Sequence, residues 1–249
     1  MSEKISGIIA SPGIRIGKAY VYKTSEAIIP KYSIRDENIE SEVDRYRQSL
    51  EKTKTEIKAI QEQIAKSLSK DMADIFSSHL MVLEDPIITE KAINSIRSER
   101  RNAEWIINDI TLELIQNLGS IEDNYLRERI IDISDINKRL INNLQKRRVE
   151  SLKDVREEVI VISKDLTPSD TATMDRNRIL AFVTDKGGRT SHTAIMARAL
   201  EIPAIVGTHN ITSLVQEGDT IIVDAIHGNV IINPTDDELK EYRHYIQDL

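Results

Sequence analysis

The sequence contains no cysteine, which excludes a disulfide framework and a thiolate metal site and is compatible with a reducing compartment. It has no apolar run approaching the roughly 20 residues that span a bilayer. Its start, Met1-Ser-Glu-Lys4, lacks a hydrophobic signal segment. The expectation is a soluble, cytoplasmic chain with no membrane partner. A surplus of positive charge is also missing: 41 acidic against 34 basic residues leave a net charge of −7, without the basic face of a general nucleic-acid binder. A cationic protein partner suits this balance better. Three of the histidines, His209, His227 and His244, have no partners at ligand spacing, which argues against a transition-metal site. No glycine-rich nucleotide loop, internal repeat or low-complexity tract occurs either.

What is present centres on Lys186 to Gly207. An apolar run, Ile179 to Val183, reads as a buried strand, and Gly187-Gly188 then allow a sharp turn into a helix. Thr190 or Ser191 is the N-cap, so His192 falls in the first helical turn. Ile195, Met196, Ala199 and Leu200 have helical spacing, and Pro203 ends the helix before Ala204 to Val206. The pattern is strand, glycine turn, helix, strand. An imidazole at a helix N-terminus has amide donors and a positive dipole end beside it, which favour an anion. Neutral imidazole is a competent nucleophile near neutral pH, and a phosphoryl group on its ring nitrogen would gain those amides and Arg189 or Arg198. Taken alone, a histidine after two glycines reads as a plain turn and a satisfied helix start; the whole string is what points further.

A length of 249 residues suits two modest domains. Residues 5 to 22 give two short strands around Ser11-Pro12-Gly13, too few for a sheet of their own, and the next β pattern begins only at Val159. Between them every segment is helical. Ile39, Val43, Tyr46, Leu50, Ile57, Ile60 and Ile64 form the stripe of one long helix, followed by helices over Met72 to Leu83, from Asp85-Pro86 onward, over Ala103 to Leu118, and over Tyr125 to Leu144. This predicts a helical bundle, residues 33–145, inserted into an α/β domain made of 1–24 and 147–249. Thr167, Pro168 and Asp170 open a helix after Val159 to Ile162; Thr220 to Asp224 and Asn229 to Asn233 pair as a hairpin with His227 in its turn; Thr235 to Glu238 is a capping box for a final helix.

The string Gly187-Gly-Arg-Thr-Ser-His-Thr-Ala-Ile-Met-Ala-Arg198, continued by Leu200 to Gly207, resembles the phosphohistidine signature of the phosphoenolpyruvate-utilising enzymes over about twenty positions. Ser11-Pro12-Gly13, Gly17-Lys18-Ala19 and Asp165-Leu-Thr-Pro-Ser169 resemble the N-terminal half of enzyme I of the bacterial sugar phosphotransferase system. The resemblance implies a swivelling phosphohistidine domain with an inserted helical domain. It implies that His192 carries a phosphoryl group on its tele nitrogen, received from phosphoenolpyruvate and passed to a histidine of the phosphocarrier HPr, the first step of sugar phosphotransfer. Supporting roles fall to Gly187, Gly188, Arg189, Thr190, Ser191 and Arg198, and to Thr171, which would hydrogen-bond the active imidazole; an exposed helix hydroxyl is the plainer reading of Thr171.

The helical segment has no chemical constellation of its own, and in enzyme I the corresponding domain binds HPr. That role is carried to Ile75, Phe76, His79 and Met81, and to Leu118 and Arg129, although the apolar ones equally suit a core. Where the family often has paired glutamates this chain has Lys70 and Asp71. Enzyme I continues into a barrel that binds phosphoenolpyruvate with Mg²⁺ and dimerises, so the chain is expected to be an N-terminal fragment that needs no cofactor or metal and only exchanges phosphate with HPr. Two other readings stand: the phosphohistidine domain of a pyruvate phosphate dikinase or phosphoenolpyruvate synthase, and a non-catalytic helical binding module.

Overall fold

Three strands open the chain, β1 (Glu3–Ser6), β2 (Ile8–Ser11) and β3 (Ile14–Val21), and none pairs with another. They belong to a computed structural model that describes residues 2–23, 27–120, 123–147 and 151–247. The chain forms two compact units, 1–24 with 150–249 and 25–149, and both crossings between them fall outside the described residues.

The inserted unit is helical: α1 (Ile39–Ser67), α2 (Lys70–Ala73), α3 (Ile75–Glu84), α4 (Ala92–Glu99), α5 (Ala103–Gly119) and α6 (Asn124–Leu144). The stripe of α1 is buried at Val43, Tyr46, Leu50, Ile57, Ile60 and Ile64, as its spacing requires, while Ile39 stays half-buried. The segment expected to run unbroken from Met72 to Leu83 is split in two at Asp74. Ahead of α4, residues Ile87–Lys91 widen into a π turn. The buried Tyr46 hydroxyl donates to the Ile88 carbonyl there at 2.6 Å, an acceptor that a widened turn leaves poorly served. Arg45 locks the base of the bundle. It donates to both Glu104 oxygens (2.8 and 2.6 Å), to Glu42 (2.6 Å) and to the Leu144 carbonyl (3.0 Å). Asn102 in turn donates to Glu104 (2.9 Å) and to Pro30 O (3.0 Å).

The other unit resumes with β4 (Val159–Ser163), α7 (Pro168–Ala172), β5 (Ile179–Thr184), α8 (His192–Leu200), β6 (Ala204–Val206), α9 (Ile211–Leu214), β7 (Thr220–Asp224), β8 (Asn229–Ile232) and α10 (Asp236–Gln247). One eight-stranded sheet runs β1-β8-β7-β3-β4-β5-β6-β2. β3, β4, β5 and β6 are mutually parallel and the remaining pairs antiparallel. All five residues of β4 are buried, the mark of a parallel strand covered on both faces. β1 and β2 stand at opposite ends of the order, yet only Gly7 separates them in the chain. The sheet therefore curls until one strand, Glu3 to Ser11, bridges its two ends. On one face Leu239, Tyr242 and Ile246 of α10 pack over Ile14, Ile222 and Ile231.

Candidate active site

α7 and α8 start beyond the carboxyl ends of the adjacent parallel strands β4 and β5, the end of parallel strands at which both open and closed α/β sheets hold ligands. The turn between β5 and α8 is laced to the segment after β6. Thr208 donates its amide (3.1 Å) and its hydroxyl (2.9 Å) to the Thr184 carbonyl; the Thr184 hydroxyl (2.6 Å) and the Gly207 amide (3.2 Å) both reach the Lys186 carbonyl. Gly187 and Gly207 have φ of +111° and +67°, and a Cβ on Gly207 would stand 3.0 Å from Gly187 O. Both positions need glycine. Gly188 has open space around it and no positive φ.

Of the two expected caps the structure uses Ser191. Its hydroxyl donates to Gly188 O (2.8 Å) and accepts from the Ala194 amide (3.2 Å). His192 is the first residue of α8 and half-buried. The buried face of the helix is Thr193, Ala194, Met196, Ala197 and Leu200, so the expected stripe was half right: Ile195 and Ala199 are only half-buried. The Thr193 hydroxyl donates to Leu166 O at 2.8 Å and fastens the first turn of α8 to the lead-in of α7. α7 carries the expected capping box, Asp170 accepting from the Thr167 amide and hydroxyl, both at 3.0 Å.

The supporting residues divide. Arg189 and Thr190 are exposed at the turn. Arg198 donates to Ala10 O of β2 (2.9 Å) and to Arg189 O (3.3 Å), so its guanidinium braces the loop against the sheet. Thr171 is fully buried, which corrects its reading as an exposed hydroxyl. It donates to the Thr167 and Pro168 carbonyls, both at 3.1 Å. With its only proton committed there, it can meet an imidazole solely as an acceptor.

On the helical unit, Met81 is 62% exposed, and Ile75, Leu118 and Arg129 are half-buried. Phe76 and His79 are completely buried, which corrects their assignment to a partner surface: a partner cannot reach them without unpacking the bundle. His79 instead faces Asp132, 3.1 Å from its Nε2, and Asp135, 3.9 Å from its Nδ1. Gly207 closes the signature stretch in the sequence but was given no role there; its place directly after the short strand Ala204 to Val206 was the available signal. Among the described residues no group of three or more His, Asp or Glu is placed to hold a metal ion, and no helix is long and apolar enough to cross a membrane.

Residues 6–129 match the family model for the N-terminal part of PEP-utilising enzymes, and residues 155–228 match that for their mobile domain. An NMR solution structure of Enzyme I superposes with a TM-score of 0.81 at 43% identity, covering 98% of each chain. The chain belongs to the phosphoenolpyruvate-utilising enzymes. Within them it corresponds to the N-terminal part of enzyme I, as Ser11-Pro12-Gly13, Gly17-Lys18-Ala19 and Asp165 to Ser169 implied. The phosphoenolpyruvate-protein phosphotransferase of Listeria monocytogenes is 44% identical over 97% of this chain, and that of Haemophilus influenzae 43% over 96%. The chain spans 42% of the length of each. The N-terminal domain of Enzyme 1 - Nitrogen, at 24% identity and a TM-score of 0.64, shares the fold. The discontinuous α/β domain with an inserted helical bundle is thus a fold of enzyme I.

Proposed function

We propose that this chain is the relay stage of an enzyme I: His192 takes up a phosphoryl group that began on phosphoenolpyruvate and passes it to a histidine of HPr, in the cytoplasm, at the first step of sugar phosphotransfer. The observation that carries this reading is the position of His192 as the first residue of α8, after a turn held by the Gly207 amide and the Thr184 hydroxyl on the Lys186 carbonyl. The transfer is an in-line exchange between two imidazoles. A nitrogen lone pair attacks phosphorus as the N–P bond on the other ring breaks and its electron pair stays with the leaving imidazole. Such a loose transition state asks for alignment and charge stabilisation and little else. First-turn amides of α8 and the Arg189 side chain are suited to the phosphoryl oxygens. Thr171, limited to the acceptor role, is suited to keep a proton on the ring nitrogen that does not attack.

The helical unit would dock HPr through its accessible residues, Met81 foremost, with Ile75, Leu118 and Arg129 beside it. In the full-length relatives the phosphoenolpyruvate site would lie in the part this chain does not span, together with the Mg²⁺ expected there and the dimer contacts. The family assignment and the inserted bundle favour this reading over a dikinase or a passive binding module.

The test is incubation with phosphorylated HPr, followed by a search for an acid-labile, base-stable adduct on the chain. We expect the adduct at His192, and none in a folded His192→Ala variant. An alanine variant that still takes up phosphate would overturn the assignment. The chain alone should take none from phosphoenolpyruvate and Mg²⁺.

A further inference from the structure

Tyr22 lies just past the end of β3, two residues before the chain leaves the α/β unit. Its amide continues the ladder to β4 by donating to Ile162 O at 2.8 Å, and its side chain is buried at 4% exposure. The ring is therefore fixed to the sheet. Its hydroxyl donates to Asp170 Oδ1 at 2.9 Å. The other oxygen of the same carboxylate holds the Thr167 amide and hydroxyl in the capping box. Asp170 thus joins two jobs, capping α7 and tying it to β3.

α7 is a five-residue helix, too short to hold an orientation by its own hydrogen bonds. Its direction depends on what grips it from outside. Besides the burial of Pro168, Ser169, Thr171 and Ala172, the Tyr22–Asp170 bond ties it to the end of β3, and Leu166 O just ahead of it receives the Thr193 hydroxyl from the first turn of α8. A hydroxyl bonded to a carboxylate is a strong, directional contact. The bond also gives the buried phenol hydroxyl the partner it needs, whereas the capping box of α7 closes without it.

We infer that Tyr22 and Asp170 are a positioning pair for the His192 imidazole, setting α7 against the start of α8 so that the ring is presented in one orientation. This rests on the relay reading. Neither residue touches the phosphoryl group; they act through α7. The expectation is a specific kinetic pattern: the transfer step slows, and recognition of HPr does not change.

The experiment uses the whole chain with Tyr22→Phe, which keeps the ring and deletes the hydroxyl, with Asp170→Ala, and with the double variant. Phosphoryl exchange with phosphorylated HPr is followed under saturating and limiting conditions, and the His192 ring is observed by ¹⁵N NMR in the unphosphorylated chain. Tyr22→Phe should lower the saturated rate roughly three- to tenfold, leave the KM for HPr unchanged and shift the His192 ring signals. In the Asp170→Ala background the same change should do nothing more. A wild-type saturated rate with unshifted ring signals overturns the pairing, as do additive effects in the double variant. If the unaltered chain accepts no phosphate at all, the relay reading fails, and the ring signals alone then decide the positioning claim.

Discussion

The carbonyl oxygen of Gly187 lies 3.0 Å from the point where a side chain on Gly207 would begin. Gly207→Ala therefore meets two penalties, a left-handed φ of +67° and a clash with the turn that presents His192. It should lower stability by about 1–3 kcal/mol and slow phosphoryl uptake. Gly188→Ala, with nothing within 4 Å of its Cβ position, should leave stability within about 0.5 kcal/mol. Thermal unfolding of the two variants side by side checks the contrast.

Thr171→Val preserves shape and removes a hydroxyl bound to two backbone carbonyls. Stability should fall by about 0.5–1.5 kcal/mol, and transfer from phosphorylated HPr should slow by up to roughly tenfold without being abolished. A wild-type rate together with an unchanged His192 tautomer in ¹⁵N spectra would mean that Thr171 serves only its own helix.

Met81 and Phe76 sit five residues apart on α3 and should behave oppositely. Met81→Asp changes an exposed side chain and should weaken HPr binding in a titration while the melting temperature holds. Phe76→Ala empties a fully buried site and should cost about 3–5 kcal/mol. If Met81→Asp binds HPr with unaltered affinity, the docking surface lies elsewhere on the unit.

Asp224 is buried at the hairpin turn and accepts from the Ile226 and His227 amides (both 3.1 Å), the His227 ring (2.9 Å) and the Tyr242 hydroxyl (3.0 Å). Burial works against its charge, but these hydrogen bonds outweigh it and hold the carboxyl below the usual aspartate range. A carboxyl depressed in the folded state contributes stability above its unfolded value, and that contribution is lost as pH falls through the folded one. Stability should thus be level at neutral pH and decline as pH drops below about 4. Asp224→Asn turns an amide NH₂ toward donors; it should cost about 1–3 kcal/mol at neutral pH and flatten the acid limb measured by circular dichroism.

Trp105 is the single tryptophan, with Arg101 4.4 Å and Lys31 5.5 Å from its ring centroid. It lies next to Glu104, whose carboxyl is opposed by burial yet held low by hydrogen bonds from Arg45 and Asn102. Glu104→Gln removes the carboxylate from a guanidinium that keeps Glu42 as its other partner. The loss should be about 1–3 kcal/mol, read as an earlier transition in tryptophan emission.

What the sequence made legible is what local rules write. The capping boxes at Thr167 and Thr235, the cap at Ser191, the stripe of α1 and the hairpin of β7 and β8 all follow from residues a few positions apart. Contacts made at a distance left no such trace. His79 reads the same on a helix whether it faces solvent or Asp132, 53 residues later. The π turn depends on Tyr46, 42 residues before Ile88, and Tyr22 finds Asp170 across 148. The opening strands were expected to need partners from beyond Val159 and find them there, but which strand takes which partner left no local trace.

The strand that bridges the two ends of the sheet also sets an order of assembly during synthesis. Ser6 is made early, but Asn229, its partner on β8, follows 223 residues later, which at the ribosome's usual pace is roughly 10–45 seconds. The helices of residues 39–144 emerge inside that interval and find their contacts among themselves. The sheet cannot close until β8 arrives. The α/β unit is thus completed last, and the first strand spends that time unpaired, in the state most open to chaperones and to mispairing with another nascent chain.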